Sequence, residues 1–172
     1  MELPGTRAPL EPYGLGRGFV DHQLPTVPGA GVGAIIKLDP TYVWRPLSVR
    51  FAITTSASVA DRFVTLDYTD PDGNVWVRNG AGVVVQASTT SQGFDFNAQR
   101  TVAEWATNTD ILAPLSYFFL PPGWQIRINI GSVQAADQLA SISVYSEKYL
   151  TDSGRDLGGL HSGFGRVSDA GR

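Results

Sequence analysis

The chain has no cysteine and only two histidines in 172 residues. Without thiols there is no disulfide, no thiolate nucleophile and no cysteine-bound metal, and stability has to come from packing or assembly. His22 and His161 both sit in Gly-rich terminal stretches. A general base needs a partner fixed at hydrogen-bond distance on a rigid element, so both are expected to be solvated or interface side chains. Long apolar runs are missing too. No stretch approaches the roughly 20 apolar residues that span a bilayer, and Met1 to Gly5 lacks the basic and apolar regions of a signal peptide. The expectation is a soluble chain with no export signal and no membrane partner.

Charge of one sign is scarce as well. Thirteen basic and 16 acidic side chains are interspersed for a net charge of -3, which gives neither the basic stripe of a nucleic-acid binder nor an acidic tail. No Gly-x-Ser-x-Gly, P-loop, His-Glu-x-x-His or dinucleotide fingerprint occurs. Gly14-Leu15-Gly16-Arg17-Gly18 looks like a phosphate-cradling loop, but no strand pattern precedes it and no helix pattern follows. No window of 11–18 residues carries a helical apolar stripe, which removes the crossover helices of parallel βαβ folds. No enzyme activity and no cofactor are expected.

What is present is a core. Hydrophobic residues make up 42% of the chain, enough for one packed domain. Glycine and proline divide the sequence into three parts. Residues 1–33 hold seven of the 19 glycines and five of the 11 prolines, a density that disfavours helix or continuous strand and marks an extended N-terminal arm. Residues 150–172 hold six more glycines with scattered apolar side chains and read as a Gly-rich C-terminal arm. Residues 34–149 are the domain.

Within that domain, strands are legible from alternation. Leu47, Val49, Phe51 and Ile53 alternate with Ser48, Arg50, Ala52 and Thr54, and Trp124, Ile126, Ile128 and Ile130 alternate with Gln125, Arg127 and Asn129, which places one apolar face inward. Val64-Leu66-Tyr68 and Val75-Trp76-Val77-Arg78 flank the turn Asp70-Pro71-Asp72-Gly73-Asn74 and predict a hairpin. Asn79-Gly80 predicts a tight turn before the buried run Val83-Val84-Val85. Phe94 to Thr107 reads as strand then loop, Ile111 to Leu120 as an apolar strand stopped by Pro121-Pro122-Gly123, and Leu139 to Tyr149 as the last strand. Together they predict an all-β fold: an antiparallel β-sandwich, jelly-roll-like, with extended N- and C-terminal arms. Sequence does not order the strands, which leaves an immunoglobulin-like arrangement open.

Few residues carry chemistry. Asp67, Asp70, Asp72 and Asn74 have spacing that could gather oxygens around calcium, but the glycine and the bidentate glutamate of an EF-hand loop are out of place, and the expected reading is a capped β-turn with no metal. The acids at Asp39, Asp61, Asp70, Asp72, Asp110 and Asp137 fall at turns, where solvation accounts for them. Trp76, between Val75 and Val77, is expected to face outward, where it could cover a subunit, receive an arm or stack on a sugar ring; Trp124 is expected in the core. The arms share a flavour, Gly16-Arg17-Gly18-Phe19 and Gly163-Phe164-Gly165-Arg166. This is either linker composition or a pair of anchors, in which Arg17, Phe19, Phe164 and Arg166 dock on a neighbouring subunit.

The stretches Trp44-Arg45-Pro46-Leu47-Ser48-Val49-Arg50-Phe51, Ala60-Asp61-Arg62-Phe63-Val64-Thr65-Leu66-Asp67-Tyr68 with Asp72-Gly73-Asn74, and Leu120-Pro121-Pro122-Gly123-Trp124 with Ser132-Val133-Gln134-Ala135-Ala136-Asp137-Gln138 resemble the small β-sandwich virion proteins of tailed bacteriophages. The resemblance covers about residues 44–149. It implies a structural component of the virion, a capsid decoration or cement protein, a head–tail connector component or the base of a fibre, forming homo-oligomers and binding other virion subunits; the modest negative charge and the missing helix favour decoration or cement. The alternative is a carbohydrate-binding module of a receptor-binding or fibre-associated protein, with Trp76 as its platform.

Overall fold

The computed structural model describes residues 18–101, the backbone of 104 and 105, and residues 109–150. Ten strands follow in chain order: β1 Phe19–Gln23, β2 Ala34–Lys37, β3 Tyr42–Thr54, β4 Arg62–Thr69, β5 Val75–Val85, β6 Gln92–Asn97, β7 Glu104–Trp105, β8 Asp110–Pro114, β9 Gln125–Ile130 and β10 Gln138–Leu150. No helix occurs among the described residues. The strands form two sheets, ordered β1-β10-β3-β6-β8-β7 and β2-β9-β4-β5.

The topology follows one two-stranded ribbon. β3 and β10 pair antiparallel along nearly their whole length, from Tyr42↔Leu150 to Thr54↔Gln138. Both strands then leave the first sheet and pair again in the second as β4 and β9, with Val64↔Ile130 and Thr69↔Gln125. A long antiparallel ribbon that rolls from one sheet into the other gives the fold its jelly-roll-like character. Inward residues of both sheets meet in one core: Trp44, Val49 and Ile53 of β3, Leu66 and Tyr68 of β4, Phe96 of β6, Ile126 and Ile128 of β9 and Val144 of β10 are all fully buried. Alternation in β9 is complete, with Ile126, Ile128 and Ile130 inward and Gln125, Arg127 and Asn129 half-exposed. Isoleucine and valine suit this pleated, half-buried surface.

Several expectations change. Phe19–Gln23 lies in the segment read as an arm yet forms edge strand β1, paired with β10 from Phe19↔Lys148 to Gln23↔Val144; these five residues contain neither glycine nor proline, so the arm's composition is not uniform. Asn79-Gly80 is no turn. β5 runs straight through it, because Asn79 is buried and its side chain donates to the Leu66 carbonyl and accepts from the Ser116 N–H. The ladder is interrupted further on, between Phe63↔Val84 and Thr65↔Gly80, where Gly82 takes a φ of 71° that a side chain would resist. The Ile111–Leu120 run is a strand only to Pro114. Beyond it, Leu120 makes an isolated bridge to Trp44. One pair, β6 with β8, is parallel, an exception to the antiparallel expectation.

Candidate interaction surface

Asp137, assigned to solvent, is buried, and so is Asp67. Asp137 and Arg62 are fully enclosed and form a bidentate pair, with Arg62 Nε donating to Oδ2 at 2.8 Å and Nη2 to Oδ1 at 3.0 Å. The backbone N–H groups of Ser56 and Gln134 complete the carboxylate, and the Ala60 and Ser58 carbonyls and the Ser56 hydroxyl take the other guanidinium hydrogens. Burial works to raise the Asp137 pKa, but Arg62 and the backbone N–H donors outweigh it and hold the carboxyl below the usual range. Arg62 opens β4 and Asp137 precedes β10, so the pair pins together the two places where the ribbon changes sheets. Asp67, on the outward side of β4, is covered by Arg78 (3.0 and 2.9 Å) and by Asn129 Nδ2 (2.8 Å). In both arrangements the carboxylate oxygens are taken up by donors of the fold.

The 70–74 turn is capped as its sequence suggests. Asp70 Oδ1 accepts the Asn74 N–H, and Oδ2 accepts the Asn74 side-chain amide and the Trp76 indole N–H at 3.0 Å. These donors, the indole first, bring the Asp70 pKa down to about 2. Asp67 is engaged elsewhere, and among the described residues no group of three His, Asp or Glu is placed to hold a metal ion. Trp76 is 64% exposed. Its ring leans at 40° on Trp124, with centroids 5.8 Å apart, and Trp124 leans on Phe118 at 5.8 Å. Trp124, expected in the core, is half-buried at its margin. An aromatic file thus runs from an exposed indole to the interior, where Phe118 meets Tyr68.

A second cluster fastens the N-terminal strand. Lys148 Nζ lies 4.3 Å from the centre of the Trp44 ring, 5.2 Å from Tyr42 and 5.9 Å from Phe19, and 2.6 Å from Asp21 Oδ2. A cation among three rings and a carboxylate is held by cation–π and ionic attraction at once. Phe19, a candidate anchor for a neighbour, packs edge-on against Tyr42 of its own chain and remains 45% exposed. His22 stacks on Tyr145 with centroids 4.1 Å apart. Arg17, Phe164, Arg166 and His161 lie outside the described residues. The structure therefore brings Phe19 and Trp76 onto the surface, each backed by a half-buried aromatic, without bringing them to one site.

The chain enters and leaves this fold at one place. Gly18 lies flush against the Tyr149 ring, where a Cβ would collide with the ring carbons, and β10 ends at Leu150. The 17 residues before Gly18 and the 22 after Leu150 therefore depart from adjacent positions.

Neither a family model nor a curated protein matches the sequence. Among solved structures, the chain is similar to proteins of infectious bursal disease virus. The Gt strain structure is 13% identical over 77% of this chain and 31% of that one, with a TM-score of 0.37. The Gx strain structure is 10% identical over 78% and 32%, at 0.40. The T13 viral particle is 14% identical over 84% and 35%, at 0.42. The chain spans about a third of the length of the chains it matches. The sandwich assignment stands on the strand order and register above.

Proposed function

We propose that the chain is a non-catalytic structural component of a virus particle, a decoration or cement protein of a bacteriophage capsid that binds neighbouring subunits through its two terminal segments. The observation that carries this reading is the shared exit at Gly18 and Leu150. Two Gly-rich segments leaving side by side from one edge act on the same neighbour, and each raises the effective concentration of the other. Gly-rich sequence with few apolar side chains is the composition of segments that wrap a partner surface. The sandwich itself offers the rigid support such contacts need. The resemblance of residues 44–149 to phage virion proteins points the same way.

Comparing the full chain with residues 18–150 tests this. The shorter chain should remain folded but lose self-association and binding to a capsid lattice, measured by sedimentation and co-pelleting. Unchanged association would refute the role of the arms. Stoichiometric recovery of the chain in purified particles is the expected positive result.

One observation favours a second reading. Trp76 presents an indole face fixed by Asp70, the arrangement by which a β-sandwich stacks on a sugar ring. A carbohydrate-binding module predicts that Trp76→Ala abolishes glycan affinity while association is untouched.

A further inference from the structure

Asn79-Gly80 occurs once in the chain, and the other four asparagines, Asn74, Asn97, Asn108 and Asn129, precede Val, Ala, Thr and Ile. Nothing steric calls for glycine at position 80. It lies in β5 opposite Thr65, and a Cβ there would meet no atom within 4 Å beyond its chain neighbours. Glycine inside a strand is a net cost. Its chemical effect is larger than its steric one: without a Cβ, Gly80 offers the least hindered backbone nitrogen to the side-chain amide before it.

The fold disarms this pair. Asn79 is buried, its amide nitrogen donates to the Leu66 carbonyl at 3.1 Å, and its amide oxygen accepts the Ser116 N–H at 2.7 Å. The two ends of the amide are tied to β4 and to the segment after β8, so the side chain is kept from turning toward its own backbone. The strand also sets the wrong torsion. Attack on the amide carbon needs the Asn79 Cβ and the Gly80 nitrogen eclipsed about the Cα–C bond, and extended backbone holds them well apart. Yet β5 is a weak flank. It stands at the edge of its sheet with β4 as its ladder neighbour, and that ladder is interrupted directly after Gly80, where Gly82 has a φ of 71°. Local opening draws on such thinly held edges.

We propose that Asn79 is a latent site of covalent modification, shut by the fold and released when β5 opens. The inference is independent of the particle reading. In the open strand the Gly80 nitrogen bonds to Asn79 Cγ and the Cγ–Nδ2 bond breaks. Nδ2 leaves as ammonia with the Gly80 amide proton, and a five-membered imide remains. Water then opens the imide at either carbonyl, giving aspartate or isoaspartate at position 79. Neither product fits back. Aspartate sets a carboxylate oxygen against the Leu66 carbonyl where a donor stood, buried and unpaired. Isoaspartate adds a methylene to the backbone and throws the β4–β5 ladder out of register. Unfolding is thereby made irreversible by a bond change in the open state.

The test incubates the full-length chain in guanidinium chloride and, in parallel, in native buffer at the same mildly alkaline pH. Peptide mapping by mass spectrometry reads conversion, and near-UV circular dichroism after dilution reads refolding. In denaturant the amide-to-acid mass gain is expected at Asn79 ahead of the other four asparagines, with the refoldable fraction falling in step. In native buffer conversion should be slower by at least about tenfold, because it follows the population of the open form. Gly80→Ala should unfold at an unchanged denaturant midpoint, since its methyl enters open space, while converting more slowly in denaturant and keeping its capacity to refold. Asn79→Asp, which stands for the direct product, should lower the folding equilibrium constant by about tenfold to a hundredfold at neutral pH. Equal conversion in native buffer and in denaturant overturns the proposal. So does full refolding of the converted chain, loss of refolding in Gly80→Ala at the parent's rate, or an Asn79→Asp variant as stable as the parent.

Discussion

Asp137 accepts hydrogen bonds from Arg62 Nε and Nη2 and from two backbone N–H groups while wholly shielded from water. Removing one partner of such a pair leaves the other charged and unpaired, a loss of about 3–5 kcal/mol. Asp137→Ala should therefore cost that much in urea unfolding at pH 7. The double variant Arg62→Met/Asp137→Leu should recover a substantial part, since no charge stays buried. A loss near zero in the single variant would mean the pair is not closed in solution. The pH dependence follows from direction alone. The folded pKa of Asp137 lies below its unfolded value of about 3.9, so the unfolded chain binds more protons in acid. The stabilisation is whole above about pH 5 and declines as pH falls through that unfolded value toward the folded one, and Asp137→Ala should flatten the acid limb of the stability curve. None of this was legible beforehand. Ala136-Asp137-Gln138 looks like any polar turn, and the partner lies 75 positions away; alternation reports which face a residue occupies within its own strand and says nothing about what crosses over to meet a loop.

Among the elements, β3 and β9 were legible because their apolar residues repeat every second position against one core face. β5 was misread at a single dipeptide. Asn79-Gly80 has the composition of a tight turn, yet burial of Asn79 and its bonds to Leu66 and Ser116 override that local preference. The two readings predict different outcomes. At a surface turn Asn79→Ala would be nearly neutral, whereas here it strands a buried carbonyl and N–H and should cost about 1–3 kcal/mol by thermal or urea unfolding. β1 was hidden by the glycines and prolines around it; its ladder is with β10, and the Lys148 cluster and the His22–Tyr145 stack add to it. Lys148→Ala removes the charge shared by Phe19, Tyr42, Trp44 and Asp21. Hydrogen exchange at β1 amides should then accelerate by about tenfold or more while β3 and β9 keep their protection, since local opening draws on local contacts. Uniform acceleration across both sheets would show that β1 is part of the cooperative core. The candidate surface was half legible: Trp76 was placed outward by its valine neighbours, but its fixation by Asp70 and the file through Trp124 and Phe118 depend on turns whose shapes sequence does not disclose.

At the scale of the whole molecule, the ribbon makes the last quarter of the chain indispensable to the first half. β3 has β10 on one side and β6 on the other, and β4 has β9 on one side and β5 on the other. A chain that stops before β10 leaves one flank of β3 open, uncovers Val49 and Ile53, and removes Leu139, Ile142 and Val144 from the core. It also loses Asp137 or leaves it at a frayed end, so Arg62 stays buried without its counter-charge. Residues 1–136 should accordingly fail to fold and should aggregate through the open β3 edge. Residues 18–150 retain every described strand and should fold. Near-UV circular dichroism and a urea titration distinguish the two: residues 1–136 are expected to show no cooperative transition, and residues 18–150 a transition close to that of the full chain. Because the central ladders join strands separated by most of the sequence, loop-closure entropy must be overcome before those contacts form, and refolding of residues 18–150 should take milliseconds to seconds, the range of sandwiches dominated by non-local pairing. A cooperative transition in residues 1–136 would show that β3 and β4 find enough cover without the returning half of the ribbon, and would remove the ribbon as the organising unit of the fold.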